Sequence, residues 1–396
     1  FERKDQVKGI IVTHGHEDHI GGLPYLMQQV KAPLYATRLT RGLIEVRLKE
    51  HHLLNGTELH TVSPGDVVDL GPFSVEFFRV CHSIPDGVGL GITTPVGLIV
   101  HSGDFKFDQT PVDGRLTDFA RLAELGGRGV LVLLSDSTNA ETDGHTPSEQ
   151  VVGETFDQVF ARAKGRIIIA TFASNISRVQ QIVDTARKFD RRVGLVGRSM
   201  VNYAKAASKL GYLDLSPDEM IAPHEMNSLP PEQVAIACTG SQGEPTSALV
   251  RMALGEHRQV NVRPGDSVIV SATPIPGNEE LVNRTINNLF RAGARVFHHA
   301  RMQVHVSGHG SRDEHKVMLN LIRPRYFVPI HGEYRHLVLH AGMAEQVGIP
   351  ADHIFVVESG QVLEFGHDWG RISGQVAEGH VLVDGLGVGD IGNVVL

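Results

Sequence analysis

The stretch that most constrains this chain is Val12-Thr13-His14-Gly15-His16-Glu17-Asp18-His19-Ile20-Gly21-Gly22. It follows an apolar run, residues 7–12, that reads as a buried strand, and it precedes a helix-like segment, 23–30. Three histidines and two acids therefore share one strand-to-helix turn. Imidazole and carboxylate are the usual ligands of zinc and other borderline divalent ions. Four of these side chains, His14, His16, Asp18 and His19, would crowd a single small ion, so the spacing predicts two adjacent metals. A polar surface loop is the alternative, but it does not explain H-x-H-x-D-H placed directly after a strand.

Further candidates fall at later strand ends. His82 follows an alternating run, 74–80; alone, it fits a ligand or a satisfied structural histidine equally. Asp104 follows a hairpin, 90–94 and 98–102. A carboxylate there can bridge two cations about 3.5–4 Å apart, the spacing that supports displacement at phosphorus. Asp136 follows the apolar strand 130–134 and is open between a helix cap and a functional acid. His331 ends strand 326–330. The loop His305-Val306-Ser307-Gly308-His309-Gly310-Ser311 precedes a helix beginning near 313. Its amides and hydroxyls suit a phosphate, with a plain capped loop as the alternative. Arg295, His298, His299 and Arg301 just before it favour an anion.

Between about 145 and 300 the rhythm changes. Strand candidates 166–170, 193–196, 234–238 and 267–271 alternate with helical stretches 174–189, 200–210, 246–254 and 279–292. That alternation predicts a parallel sheet covered by helices. Because the His-rich chemistry returns near 300, this α/β unit is expected to be inserted into the metal domain. The division is then 1–146 and 303–385 for the metal domain, 147–302 for the insertion, and 386–396 for the start of a linker.

With 396 residues, formal charge -8, 41% hydrophobic and 21% charged residues, the composition is that of an ordinary soluble, multidomain chain. Cys81 and Cys238 form no C-x-x-C, which excludes a disulfide framework and a thiolate zinc finger and makes a reducing cytoplasm the expected home. No run approaches membrane-spanning length, and no signal peptide is visible. Net negative charge argues mildly against non-specific nucleic-acid binding but leaves room for a basic groove.

The first motif is the signature of the metallo-β-lactamase superfamily, which the chain resembles. Asp136, His309 and His331 look like motifs A, B and C of its β-CASP nucleases. Supporting stretches are Ser135 to Asn139, Ala170 to Asn175, Cys238 to Pro245, Pro274 to Glu279, His305 to Ser311 and Pro329 to Tyr334. The resemblance implies a metallo-β-lactamase αββα sandwich with an inserted α/β β-CASP domain. It implies His14, His16 and His82 on one metal, Asp18, His19 and His331 on the other, and Asp104 shared. The ions are expected to be zinc, with manganese or magnesium able to use the same ligands.

The resemblance also implies a ribonuclease of RNA decay and maturation that acts 5′ to 3′ on 5′-monophosphate single-stranded RNA and also cuts internally. Asp18, Asp136 and His309 would be catalytic. Residues 305–311, helped by Ser174 and Asn175, would hold the terminal phosphate, and Arg178, Arg198, Lys205, Arg284 and Arg301 are candidate backbone contacts. The family's first strands, with an acid, would precede residue 1, and a C-terminal domain used in homodimerisation would follow residue 396. Rival readings are a small-molecule thioesterase or lactonase, a non-catalytic scaffold, and a DNA-processing nuclease of the same branch.

Overall fold

The computed structural model describes residues 3–222 and 224–379, and beyond these 381, 383–384 and 387–388. Most of the 386–396 segment expected to begin a linker lies outside the described residues.

The chain opens with a three-stranded parallel sheet, β1 (Ile10–Val12), β2 (Leu34–Thr37) and β3 (Leu59–Val62). The first strand is shorter than the apolar run suggested. Pairing begins at Ile10 opposite Leu34, and Val7 is exposed. The next strands, β4 (Val67–Leu70), β5 (Phe73–Arg79), β6 (Val88–Thr94), β7 (Gly97–His101) and β8 (Val130–Asp136), lie in a mixed sheet. The expected hairpin is β6–β7, turning at Thr94 opposite Gly97.

The chain then leaves for a five-stranded, wholly parallel sheet. Its strands are β9 (Ile167–Ala170), β10 (Arg192–Val196), β11 (Val234–Cys238), β12 (Ser267–Val270) and β13 (Arg295–Phe297), in the order β10-β11-β9-β12-β13. Strands β9, β11 and β12 are buried along their whole length. Their near-continuous apolar runs suit a sheet covered on both faces. Arg295, one of the basic residues before the 305–311 loop, begins the short strand β13.

The fourteenth strand, β14 (Tyr326–Ile330), returns to the first mixed sheet and completes the order β14-β8-β7-β6-β5-β4. It pairs parallel with β8, placing Ile330 opposite Asp136. Strands β7, β8 and β14 are parallel to one another, and β5 shares their direction through two antiparallel pairings. Four strands thus end at one edge, and His82, Asp104, Asp136 and His331 lie at or just past those ends.

Two features tie the inserted sheet to the first domain. A single apolar cluster runs from Leu39, Leu43 and Ile44 to Met200, Tyr203 and Ala204 of the insertion. Beneath it lies a buried ionic network. Arg178 pairs with Glu149 at 2.6 Å and donates to the carbonyls of Ser271 and Val304. The fully buried Lys106 lies 3.4 Å from Asp108 and 3.8 Å from Glu149. Arg178, a candidate RNA contact by sequence, is therefore a structural residue with no exposed surface.

Removing one partner of a buried pair strands the other charge. Arg178→Ala is expected to cost on the order of 3–5 kcal/mol of unfolding free energy, read by urea denaturation. An unchanged midpoint would mean that the network carries no net stability.

Candidate metal centre

The edge where those strands end collects nearly every chemically suggestive residue of the sequence. His14 follows β1 and is 1% exposed; its Nε2 lies 3.5 Å from Asp104 and has no hydrogen-bond partner. His82 donates through Nδ1 to the carbonyl of Gly308 at 2.6 Å, which leaves a lone pair on its Nε2. That Nε2 lies 2.9 Å from Nδ1 of His16. On the other side, Asp104 lies 3.2 Å from His19 and 3.3 Å from His331. Asp18 lies 3.6 Å from each of the same two histidines. One ligand atom from each of His14, His16 and His82 falls within 4.8 Å of the others, and so it does among Asp18, His19, Asp104 and His331.

The electrostatics of the two groups differ. Burial holds His14 and His82 well below the ordinary imidazole value and brings His16 to about 4, so all three are neutral donors. At His331 burial acts the same way, but hydrogen bonds to Asp136 and Asp18 and the nearby Asp104 overcome it and push the pKa up to about 11. Three carboxylates thus favour a positive charge at this point. An unpartnered buried His14 nitrogen, two facing imidazoles and a carboxylate-rich pocket are what a divalent cation would satisfy. The residues present fit such an ion.

A second layer holds these ligands. Thr138 Oγ1 meets His331 Nδ1 at 2.8 Å, and the amide of Ser137 donates to the His331 carbonyl at 3.1 Å. His331 sits at φ 55, a conformation that costs a non-glycine residue about 1–3 kcal/mol and clusters at functional sites. Gly308 packs so tightly on His82 that an added Cβ would lie 2.7 Å from its ring, so the 305–311 loop and the His82 ligand are fitted together. Such outer contacts fix the orientation of metal-ligating imidazoles.

Asp136 is wholly buried. Its Oδ2 accepts from His309 Nδ1 at 2.7 Å and its Oδ1 from the Thr138 amide at 3.0 Å. Burial would lower the His309 pKa, but the Asp136 charge and hydrogen bond raise it. His309, with its ring 4.8 Å from His82 and 5.3 Å from His331, is held at the cluster with its second nitrogen left over.

The rest of the 305–311 loop is mostly committed to the fold. Val306 lies in the core, and burial beside Arg178 and Lys106 brings His305 down to about 3. The His309 amide donates to Ser307 Oγ and the Gly310 amide to the Phe105 carbonyl. Ser311 caps the helix Arg312–Ile322 in a box with Glu314. Asn175 likewise caps its own helix by accepting from the Arg178 amide at 3.0 Å. Ser174 instead lines a cavity of about 950 Å³ that also touches Glu17, Arg47, Arg198 and Arg251. Thr138, Ser83 and Glu314 were missed. Ser83 meets His16 at 3.1 Å, and Glu314 receives the amides of Phe107, Thr146 and Ser311. Only Glu314 carried a sequence signal, the Ser-x-x-Glu spacing of a capping box.

Comparison with known proteins identifies the family. Residues 2–162 match the model of a beta-lactamase superfamily domain, 164–289 that of the ribonuclease J beta-CASP domain, and 298–354 that of a Zn-dependent metallo-hydrolase RNA specificity domain. Ribonuclease J of Synechocystis is 48% identical over 98% of the chain and 61% of its own length. Ribonuclease J2 of Bacillus subtilis is 44% identical over the whole chain and 71% of its own length, and ribonuclease J of Thermus thermophilus is 44% identical over the whole chain and 70% of its length. The chain thus spans about 61–71% of these relatives. A structure from Enterococcus faecalis titled as a protein of unknown function shares the fold, with TM-score 0.62 and 16% identity over 88% of this chain and 79% of that one. The chain belongs to the ribonuclease J family of β-CASP metallo-β-lactamase proteins.

Proposed function

We propose that this protein is a metal-dependent ribonuclease that hydrolyses phosphodiester bonds. The observation that carries the reading is His309, hydrogen-bonded to the buried Asp136 and facing the two-part His/Asp cluster. A thioesterase or lactonase would have no evident use for that pair or for the inserted sheet. A non-catalytic scaffold is disfavoured because all seven expected ligands are present and converge.

Two ions suit the cluster. His14, His16 and His82 would hold one, Asp18, His19 and His331 the other, with Asp104 between them. Zinc is favoured, with manganese and magnesium as alternatives. When bound, the pair would stabilise negative charge developing at phosphorus and make water a nucleophile at neutral pH. Asp18, whose side chain is 64% exposed, accepts the proton of the attacking water. Asp136 holds His309 through Nδ1, and the other nitrogen of the ring gives a proton to the leaving 3′ oxygen. The products carry a 5′ phosphate and a 3′ hydroxyl.

The likeness to ribonuclease J supports 5′-to-3′ digestion of single-stranded RNA bearing a 5′ monophosphate, together with internal cuts. A cytoplasmic, homodimeric protein is part of the same proposal. The cavity beside Ser174, with Arg198 exposed on its wall, suits the strand, and the terminal phosphate is assigned to the 305–311 loop by the resemblance alone. Among the described residues no helix is long and apolar enough to cross a membrane. The domain crossings at 147 and 302 leave all seven ligands on the first domain.

Zinc added to metal-free protein should raise its unfolding temperature by linkage, and His14→Ala should remove most of that rise. An equal rise in both proteins would move the metal elsewhere. Metal-loaded protein should degrade 5′-monophosphorylated RNA faster than matched DNA or a generic ester. His309→Ala should keep its metal and lose about 10²–10⁴-fold in rate. Turnover at the normal rate in that variant would remove His309 from the mechanism, and a preference for DNA or ester would overturn the substrate class.

A further inference from the structure

Glu17 stands inside the ligand loop, between His16 and Asp18, yet it points away from the cluster and is tied on both sides. Its Oε2 accepts from the Tyr203 hydroxyl at 3.0 Å, and its Oε1 pairs with Arg47 at 2.5 Å. Arg47 belongs to the first domain, on the helix Arg38–Glu50, and Tyr203 to the inserted domain, on the helix Arg198–Lys209. The side chain curls back over its own one-turn helix, Glu17–Ile20. Gly21 makes room for it, since an added Cβ there would lie 2.8 Å from Glu17 Oε1. Tyr203 is 3% exposed and packed in the shared apolar cluster, so its hydroxyl is fixed in place. A neighbouring bond, Asn202 to Glu50 at 3.2 Å, joins the same two helices.

Asp18 has the least packing of the seven ligands. Its side chain is 64% exposed, against 1% for His14 and His82 and 5% for Asp104. Beyond His19 and His331, each 3.6 Å from its carboxylate, its position depends on the backbone at residues 17 and 18, and the double tether on Glu17 holds that backbone. We propose that Tyr203 of the inserted domain is a positioning residue for the cation-binding loop, acting through Glu17. The inserted domain thereby sets how firmly the Asp18 side of the centre grips its ion. Glu17, Arg47 and Tyr203 all line the 950 Å³ cavity, so a strand lying there would touch the tether itself.

The inference rests on the cluster being a metal centre and not on its acting on RNA. The test is zinc affinity by competition with a chromogenic chelator, on the full chain. Tyr203→Phe removes one hydroxyl and keeps the ring. It should weaken the more weakly held zinc about 10- to 100-fold, as loss of an outer contact to a metal site does. Its metal-free unfolding temperature should match the parent. In a Glu17→Ala background the same Tyr203→Phe change should have no further effect, because the path is already cut. Saturating zinc should restore the turnover of Tyr203→Phe. Wild-type zinc affinity in Tyr203→Phe, or an equal loss in both backgrounds, would overturn the proposal. Failure of the parent to bind zinc would instead overturn the reading of the cluster.

Discussion

The parallel pairing of β14 with β8 is the contact on which the site depends. Ile330 lies opposite Asp136, so the chain, on returning from an inserted domain, delivers His331 beside an acid almost two hundred residues earlier. The His331 carbonyl then receives the Ser137 amide, and its ring meets Thr138. A slip of one residue would turn every β14 side chain to the other face of the sheet and carry His331 out of its place just past Asp136. The buried, apolar flanks of both strands prevent that slip.

Around this seam two kinds of histidine are kept apart by their surroundings. At His14, His16 and His82 burial outweighs the nearby Asp104, and their pKa values are held below the ordinary imidazole value. His331, among Asp18, Asp104 and Asp136, is drawn towards the charged form. The same contrast separates the roles of His309 and His82, whose rings lie 4.8 Å apart. His82 gives its Nδ1 to a carbonyl and faces the metal cluster, whereas His309 gives its Nδ1 to a carboxylate. Buried ionic bonds at Arg178, Lys106 and Glu149 act at larger scale, coupling the inserted sheet to the domain that carries the ligands. Such networks are costly to desolvate, and their clearest use is to specify one arrangement of parts.

Much of this was legible in the sequence. The His14 to His19 motif, the strand ends at His82, Asp104, Asp136 and His331, and the β-α rhythm of the insertion all rest on local pattern, and the structure brings those ligand candidates to one edge. What was not legible depends on long-range contact. Thr138 meets His331 across 193 positions, and Tyr203 meets Glu17 across 186. Neither residue type signals such a role. Arg178 reads as a solvated contact because a lone arginine on a helix normally is one, yet it is wholly buried. Its place on the apolar stripe with Val179, Ile182 and Thr185 was the available clue. Strand β13 is three residues long, too short for any periodicity to show.

The central proposal is that one sheet edge would hold two cations, with Asp104 a ligand available to both. Anomalous diffraction from crystals grown with zinc tests it most directly. Two peaks about 3.5–4 Å apart, one among His14, His16 and His82 and the other among Asp18, His19 and His331, are predicted. A single peak at the cluster, or strong peaks only elsewhere on the protein, would contradict it.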